Sequence, residues 1–222
     1  MTPGALARRV LGRRFNVVGE FYRGLFVDMQ CVVDAIEPLL PPGAHCLDIG
    51  AGDGLVTNML LERREDLRFT LIDVAPSIGG FIRPEFAARV TLRPATGLGE
   101  LIAEGFRCDA MLMTDVLHHI PLQQRGEFFR DLAGLSQAAG CPLIVVKDLE
   151  PGGPRAMLAV LSDKYVTGDL HVSLISRDRL RAIVTTAFGP ERLQAFETSV
   201  PDHPNYCAVI RLRGPDGTPP GA

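Results

Sequence analysis

The sequence predicts a doubly wound α/β fold: a mostly parallel seven-stranded sheet with helices on both faces, an antiparallel edge strand and an N-terminal helical cover. Three observations predict it. Short, nearly continuous apolar runs recur between segments of helical periodicity, as strands buried on both faces do. Acids close these runs, at Asp48, Asp73, Asp115 and Asp148. In the final third, two strand-like runs follow one another with no long helix between them.

The elements follow in order. Residues 16–40 carry Val18, Tyr22, Leu25, Phe26, Met29, Val33 and Ile36 at helical spacing, and Pro38 with Pro41-Pro42-Gly43 ends that stripe. Residues 44–49 form a short apolar strand, and 55–65 read as a helix. Strands follow at 68–73, 89–93 and 109–115, each apolar before a polar end. Residues 121–139 read as a helix opened by Pro121, where the missing N–H costs nothing. Residues 142–148 are a fifth strand and 176–188 a helix. The runs "RLQAFETSV" and "NYCAVIRLR" (205–213) then pair antiparallel to close the sheet. Three units result: a helical cover over 1–40, a ligand-binding domain over 41–213 with an insertion at about 150–175, and a disordered Gly/Pro-rich tail over 214–222.

Composition narrows the function. The formal net charge is −3 and the basic residues are scattered, so nucleic acid is not an expected partner. No apolar run reaches the roughly 20 residues that span a bilayer. The five cysteines are far apart and show no C-x-x-C pair, so no metal site is expected. Buried reduced thiols fit a cytoplasmic protein. The Arg-rich start shares the scarcity of acids seen in transit peptides but lacks their serines.

The stretch "CLDIGAGDGL" (46–55) holds Gly50, Gly52 and Gly54 between the first strand and the next helix. In a doubly wound sheet this is where backbone approaches a ligand. A nicotinamide fingerprint would place its third glycine at position 55, which is Leu55. The spacing therefore argues against an oxidoreductase, although Asp73 stands where a ribose-binding acid belongs.

"LDIGAGDG", then "LIDV", then "DAMLMTDVLHHIP", resembles a class I S-adenosylmethionine-dependent methyltransferase with its Rossmann-like sheet, over about residues 15–212. The resemblance implies a cofactor site. Gly50 and Gly52 would let backbone lie against the methionine and ribose. Asp48 would accept from the ammonium or orient the turn. Asp73 would accept from the ribose hydroxyls, a task for an acceptor-only carboxylate. Asp115 would face the methyl-bearing end. Relatives carry a Gly-Asp pair after the third strand, whose acid meets the adenine amine. Here "RPATGLGE" leaves Ala95 and Thr96, so backbone or the Thr96 hydroxyl is the expected contact.

The acceptor side is read from the residues after Asp115. "DVLH" lacks the prolines and aromatic of nucleobase-amine methyltransferases, which disfavours a base-amine substrate. His118 and His119 are candidate general bases, since imidazole titrates near neutrality. His118 is expected to face the site and His119 to be structural. Tyr22 and Phe26 on the first helix, Lys147 at the end of the fifth strand, and Tyr165 and His171 in the insertion are candidate substrate contacts. The reading is methyl transfer to a small organic acceptor, oxygen favoured over nitrogen or carbon. The rivals are a catalytically silent cofactor-binding protein and a nicotinamide-dependent oxidoreductase.

Overall fold

The computed structural model describes residues 29–153, 156–157, 172–202 and 204–212. Its elements are α1 (Met29–Ile36), β1 (His45–Ile49), α2 (Leu55–Arg63), β2 (Arg68–Asp73), β3 (Val90–Pro94), α3 (Leu98–Ala103), β4 (Ala110–Thr114), α4 (Arg125–Ala139), β5 (Leu143–Leu149), α5 (Arg177–Phe188), β6 (Leu193–Asp202) and β7 (Asn205–Leu212). Short 3-10 turns cover Glu37–Leu39, Pro84–Arg89 and Leu117–His119.

One seven-stranded sheet has the order β3-β2-β1-β4-β5-β7-β6. The first five are mutually parallel. β7 runs antiparallel to both β5 and β6, leaving β6 outermost. The order reverses between β1 and β4, and a crevice opens there at the strands' carboxyl ends.

Apolar side chains alternate across the sheet with the period of two that strands impose. Leu47, Ile49, Met111, Met113, Ile144 and Val146 point to a core completed by Phe129 and Leu132 of α4 and Leu180 and Val184 of α5. Cys46, Leu112, Val145, Cys207 and Val209 point to the other face, against Val32, Val33 and Ile36 of α1 and Leu60 of α2. Cys46, Cys108, Cys141 and Cys207 are buried thiols in no disulfide.

Termini follow local chemistry. α4 stops at Gly140, which takes the left-handed conformation at φ 70°. The Ser176 hydroxyl caps α5 by accepting from the Arg179 N–H. α3 has no counterpart in the sequence reading. It is six residues long with Gly99 inside, too short for a periodic signal, and it forms where Glu100 accepts from the Gly97 N–H at 3.1 Å. The expected helix over 16–40 is described only from Met29, and α1 ends before Pro38. Most of the 150–175 insertion and the tail lie outside the described residues. Among the described residues no helix is long and apolar enough to cross a membrane.

Phe129 is fully buried beneath the sheet. Phe129→Ala should cost about 3–5 kcal/mol in denaturant unfolding, through lost burial and a retained cavity. A loss below about 1 kcal/mol would mean that α4 does not close this core.

Candidate active site

The turn after β1 is built by backbone rules. Gly50, Gly52 and Gly54 take φ of 70°, 52° and 78°, which side-chain-bearing residues rarely adopt. At Gly50 the need is also steric, because a Cβ would lie 2.6 Å from Val116 Cγ2. A Cβ on Gly52 would meet nothing within 4 Å, so its constraint is conformational. Gly50 and Ala51 donate to the Ile72 carbonyl at 2.9 and 3.1 Å. Gly54 is the N-cap of α2.

Two acids secure the turn. Asp73 Oδ2 accepts from the Gly52 N–H at 3.0 Å and Oδ1 from the Ala75 N–H at 2.9 Å. A carboxylate has about four lone-pair sites, so capacity for two further donors remains. Asp48 is 2% exposed. Its Oδ2 accepts from the Thr57 hydroxyl at 2.6 Å, while Oδ1 has no partner. Burial pushes its carboxyl up to about 6, against the Thr57 hydrogen bond and with help from the Asp73 charge.

Asp73 and Gly50 open onto a cavity of about 650 Å³ at the carboxyl ends of the strands. Ile49, Ile72, Val74, Leu98, Val116 and Ile120 give it apolar walls. Thr96, Asp115 and His119 also line it, and Gln124, Glu127, Phe128 and Asp131 form its α4 side. A smaller cleft between α4 and α5 lies away from the glycine turn.

Asp115 takes φ 59°, a left-handed conformation that aspartate tolerates better than most residues. Both its oxygens bind Lys147 Nζ, at 2.6 and 2.7 Å. Lys147 is completely buried and absent from the cavity wall. The expected substrate contact is therefore corrected: the ammonium neutralises Asp115 from behind.

The two histidines exchange the places expected of them. His118 is 2% exposed, with Nδ1 2.7 Å from Asp148 Oδ1, and does not line the cavity. His119 does line it, its ring centroid 4.2 Å from that of His118. The reason is Asp148, fully buried at the end of β5, which also accepts from the Leu117 and Leu149 N–H groups. Burial alone would push the Asp148 carboxyl up. The adjacent His118 charge and hydrogen bond, with the Leu149 N–H and Lys147, outweigh that and hold it below the usual carboxylate range. Asp115, His118 and Asp148 bring ligand-type atoms within 4.8 Å, but Lys147 and the imidazole already occupy these carboxylates.

Tyr22, Phe26, Tyr165 and His171 lie outside the described residues. Asp48, Gly50, Gly52, Asp73, Thr96 and Asp115 gather around the carboxyl ends of β1 to β4, with Asp73, Thr96, Asp115 and Gly50 on the cavity wall itself. The sequence reading missed the α4 face. Its signal was present, since 124, 127, 128 and 131 follow the i, i+3, i+4, i+7 spacing of one helix side.

Residues 47–141 match the sequence family described as "Methyltransferase domain". The stretch forms a methyltransferase domain. The motifs that resemble a class I S-adenosylmethionine-dependent methyltransferase all lie within it. Solved structures share its fold. An O-methyltransferase family protein from Burkholderia thailandensis is 20% identical at a TM-score of 0.63, with 82% of this chain covering 55% of that one. An O-methyltransferase family 2 protein from Planctomyces limnophilus, solved with apigenin, is 17% identical at 0.62, over 95% of this chain and 62% of that one. The 1,6-didemethyltoxoflavin-N1-methyltransferase of Burkholderia thailandensis, solved with its namesake ligand and S-adenosylhomocysteine, is 18% identical at 0.60, over 96% and 91%. The chain thus spans little more than half the length of the first of these neighbours. A comparison with curated protein sequences finds no match.

The methyltransferase domain fits S-adenosylmethionine on its own terms. The unpartnered, buried Asp48 Oδ1 is an orphan acceptor beside the turn. Asp73 retains acceptor capacity, and the glycine turn brings backbone to the cavity edge.

Asp48 also makes a pH prediction. Its folded-state pKa of about 6 lies above the ordinary 3.8, so the folded state keeps its proton longer as pH rises. Stability falls between these values, by about 3 kcal/mol in full at 1.36 kcal/mol per unit. Asp48→Asn keeps an acceptor for Thr57 and removes the charge. It should raise Tm at about pH 7.5 and leave it nearly unchanged at about pH 4. A lower Tm at the higher pH would show that the ionised carboxylate is stabilising.

Proposed function

We propose that the chain transfers a methyl group from S-adenosylmethionine to a small organic acceptor, with oxygen as the favoured acceptor atom. One observation carries the reading: the cavity that begins at Asp73 and the glycine turn also holds an imidazole, His119, on its wall. The bound cofactor supplies a methyl group on a good leaving sulfur, so placement of a nucleophile in line provides much of the rate.

The residues divide the work. Asp73 and the glycine turn hold the ribose and methionine portions. Asp115, neutralised by Lys147, forms the wall at the end of β4. The acceptor hydroxyl gives its proton to imidazole as the carbon–oxygen bond forms. His119 is placed to receive it, and His118, held by Asp148, fixes the turn that carries His119. The relatives solved with apigenin and with 1,6-didemethyltoxoflavin support a small-molecule acceptor. The second acts on nitrogen by its name, while several others are O-methyltransferases. A net charge of −3 supports a partner other than nucleic acid, and the buried thiols support a cytoplasmic setting.

The test is incubation of labelled cofactor with hydroxylated and amine-bearing aromatic metabolites, followed by product identification. A methyl ether is the expected product. Cofactor binding without product from any acceptor would favour the silent binding protein.

Two mutant series test the roles. Asp73→Ala should weaken S-adenosylhomocysteine by about 1.5–3 kcal/mol, the range for hydrogen bonds to charged groups. Unchanged calorimetric affinity in a folded mutant would remove the assignment. His119→Ala should retain cofactor affinity and lose about 10²–10⁴ in turnover. Asp148→Asn should lower both Tm and turnover, since it loosens His118 and the Leu117 N–H together. If His119→Ala is near wild type and His118→Ala is inactive at wild-type Tm, the base is His118.

A further inference from the structure

The cavity is longer than the glycine turn and Asp73 account for. α4 also lines it, where Gln124, Glu127, Phe128 and Asp131 share one helix side. Glu127 and Asp131 are like charges at i, i+4, a spacing that weakens a helix. Among the described residues no cation pairs with either. Among the described residues no ion pair offsets this, yet both stand in the wall of the cavity.

The end of β3 offers a purine amine no charged acceptor. The Thr96 hydroxyl, expected to meet adenine, donates to the Pro94 carbonyl at 3.2 Å, and its N–H donates to the Asp73 carbonyl at 3.0 Å. Ala95 has no polar side chain. Val74, Leu98, Val116 and Ile120 also line the cavity, apolar groups suited to the faces of a flat ring. Val74 is 86% exposed, a large apolar side chain left uncovered at this place.

Resting on the cofactor reading above, we propose that Glu127 receives the adenine 6-amino group, so that base recognition lies on α4 and not at the end of β3. Three facts select Glu127. It lies in the first turn of α4, which begins at Arg125 beside the strands' carboxyl ends. Asp131 lies one turn further from that edge. Gln124 is uncharged, and the stronger acceptor for an amine is a carboxylate. α3 packs against α4, which brings Gly97 and Leu98 to the same part of the cavity. A carboxylate only accepts, so it selects a 6-amino purine and rejects a 6-oxo purine by lone-pair repulsion. A first-turn acid also complements the helix dipole, but that role is indifferent to the purine.

The experiment is calorimetric titration of wild type, Glu127→Ala and Glu127→Gln with S-adenosylhomocysteine and with S-inosylhomocysteine. Wild type should prefer the adenosyl ligand by about 10-fold or more, the value of one charged hydrogen bond. Glu127→Ala should lose most of that preference through weaker adenosyl binding, with inosyl binding unchanged or tighter. Glu127→Gln, whose amide can accept or donate, should narrow it. Equal losses for both ligands, or none for either, would overturn the proposal and leave Glu127 as a helix-terminus charge. Failure of wild type to bind either ligand would defeat the cofactor reading itself.

Discussion

The Asp73 carboxylate joins the end of β2 to the turn that follows β1, and the cavity depends on that junction. Without it, Gly52 and Ala75 would lose these acceptors, and the three left-handed glycines would rest on backbone hydrogen bonds alone. The turn must be held open against its own preference, because glycine loses more conformational freedom on ordering than any other residue. Placing the restraint in a carboxylate leaves lone pairs directed at the cleft. The group that shapes the turn thus also lines the cavity.

Asp48 shows the cost of the same arrangement. It is buried with one oxygen unpartnered, and its raised pKa records the penalty on its charge. Such a residue is a net loss in the empty fold. A cationic ligand group nearby would offset that loss, which makes binding and folding share one carboxylate.

Around β4 and β5 the logic is different. Asp115–Lys147 and His118–Asp148 are neighbouring pairs at the ends of adjacent strands. Lys147 and Asp148 are fully buried, so removing either partner would strand a charge. These pairs fix the left-handed Asp115 and the Leu117–His119 turn. Only His119 of the histidine pair then faces the cavity. The motif "DVLHH" predicted that imidazole stands here. It did not say which ring, because both lie in one 3-10 turn and the choice is made by an acid thirty residues away in sequence.

The sequence by itself determined the sheet, the glycine turn and the acids at the strand ends. Apolar runs buried on both faces, period-two alternation and left-handed glycines are local properties of neighbouring residues. It also carried the α4 face, as helical spacing, but without anything to say that the face meets the cavity. Tertiary structure alone decided the rest. β7 lies between β5 and β6 because strand order is set by long-range pairing. Lys147 turns from the cleft because Asp115 lies beside it across the β4–β5 ladder. α3 forms although six residues with an internal glycine give no periodic signal, since it packs against α4. Each case turns on a partner distant in sequence, and hydrogen bonds and ion pairs of that kind leave no spacing to read.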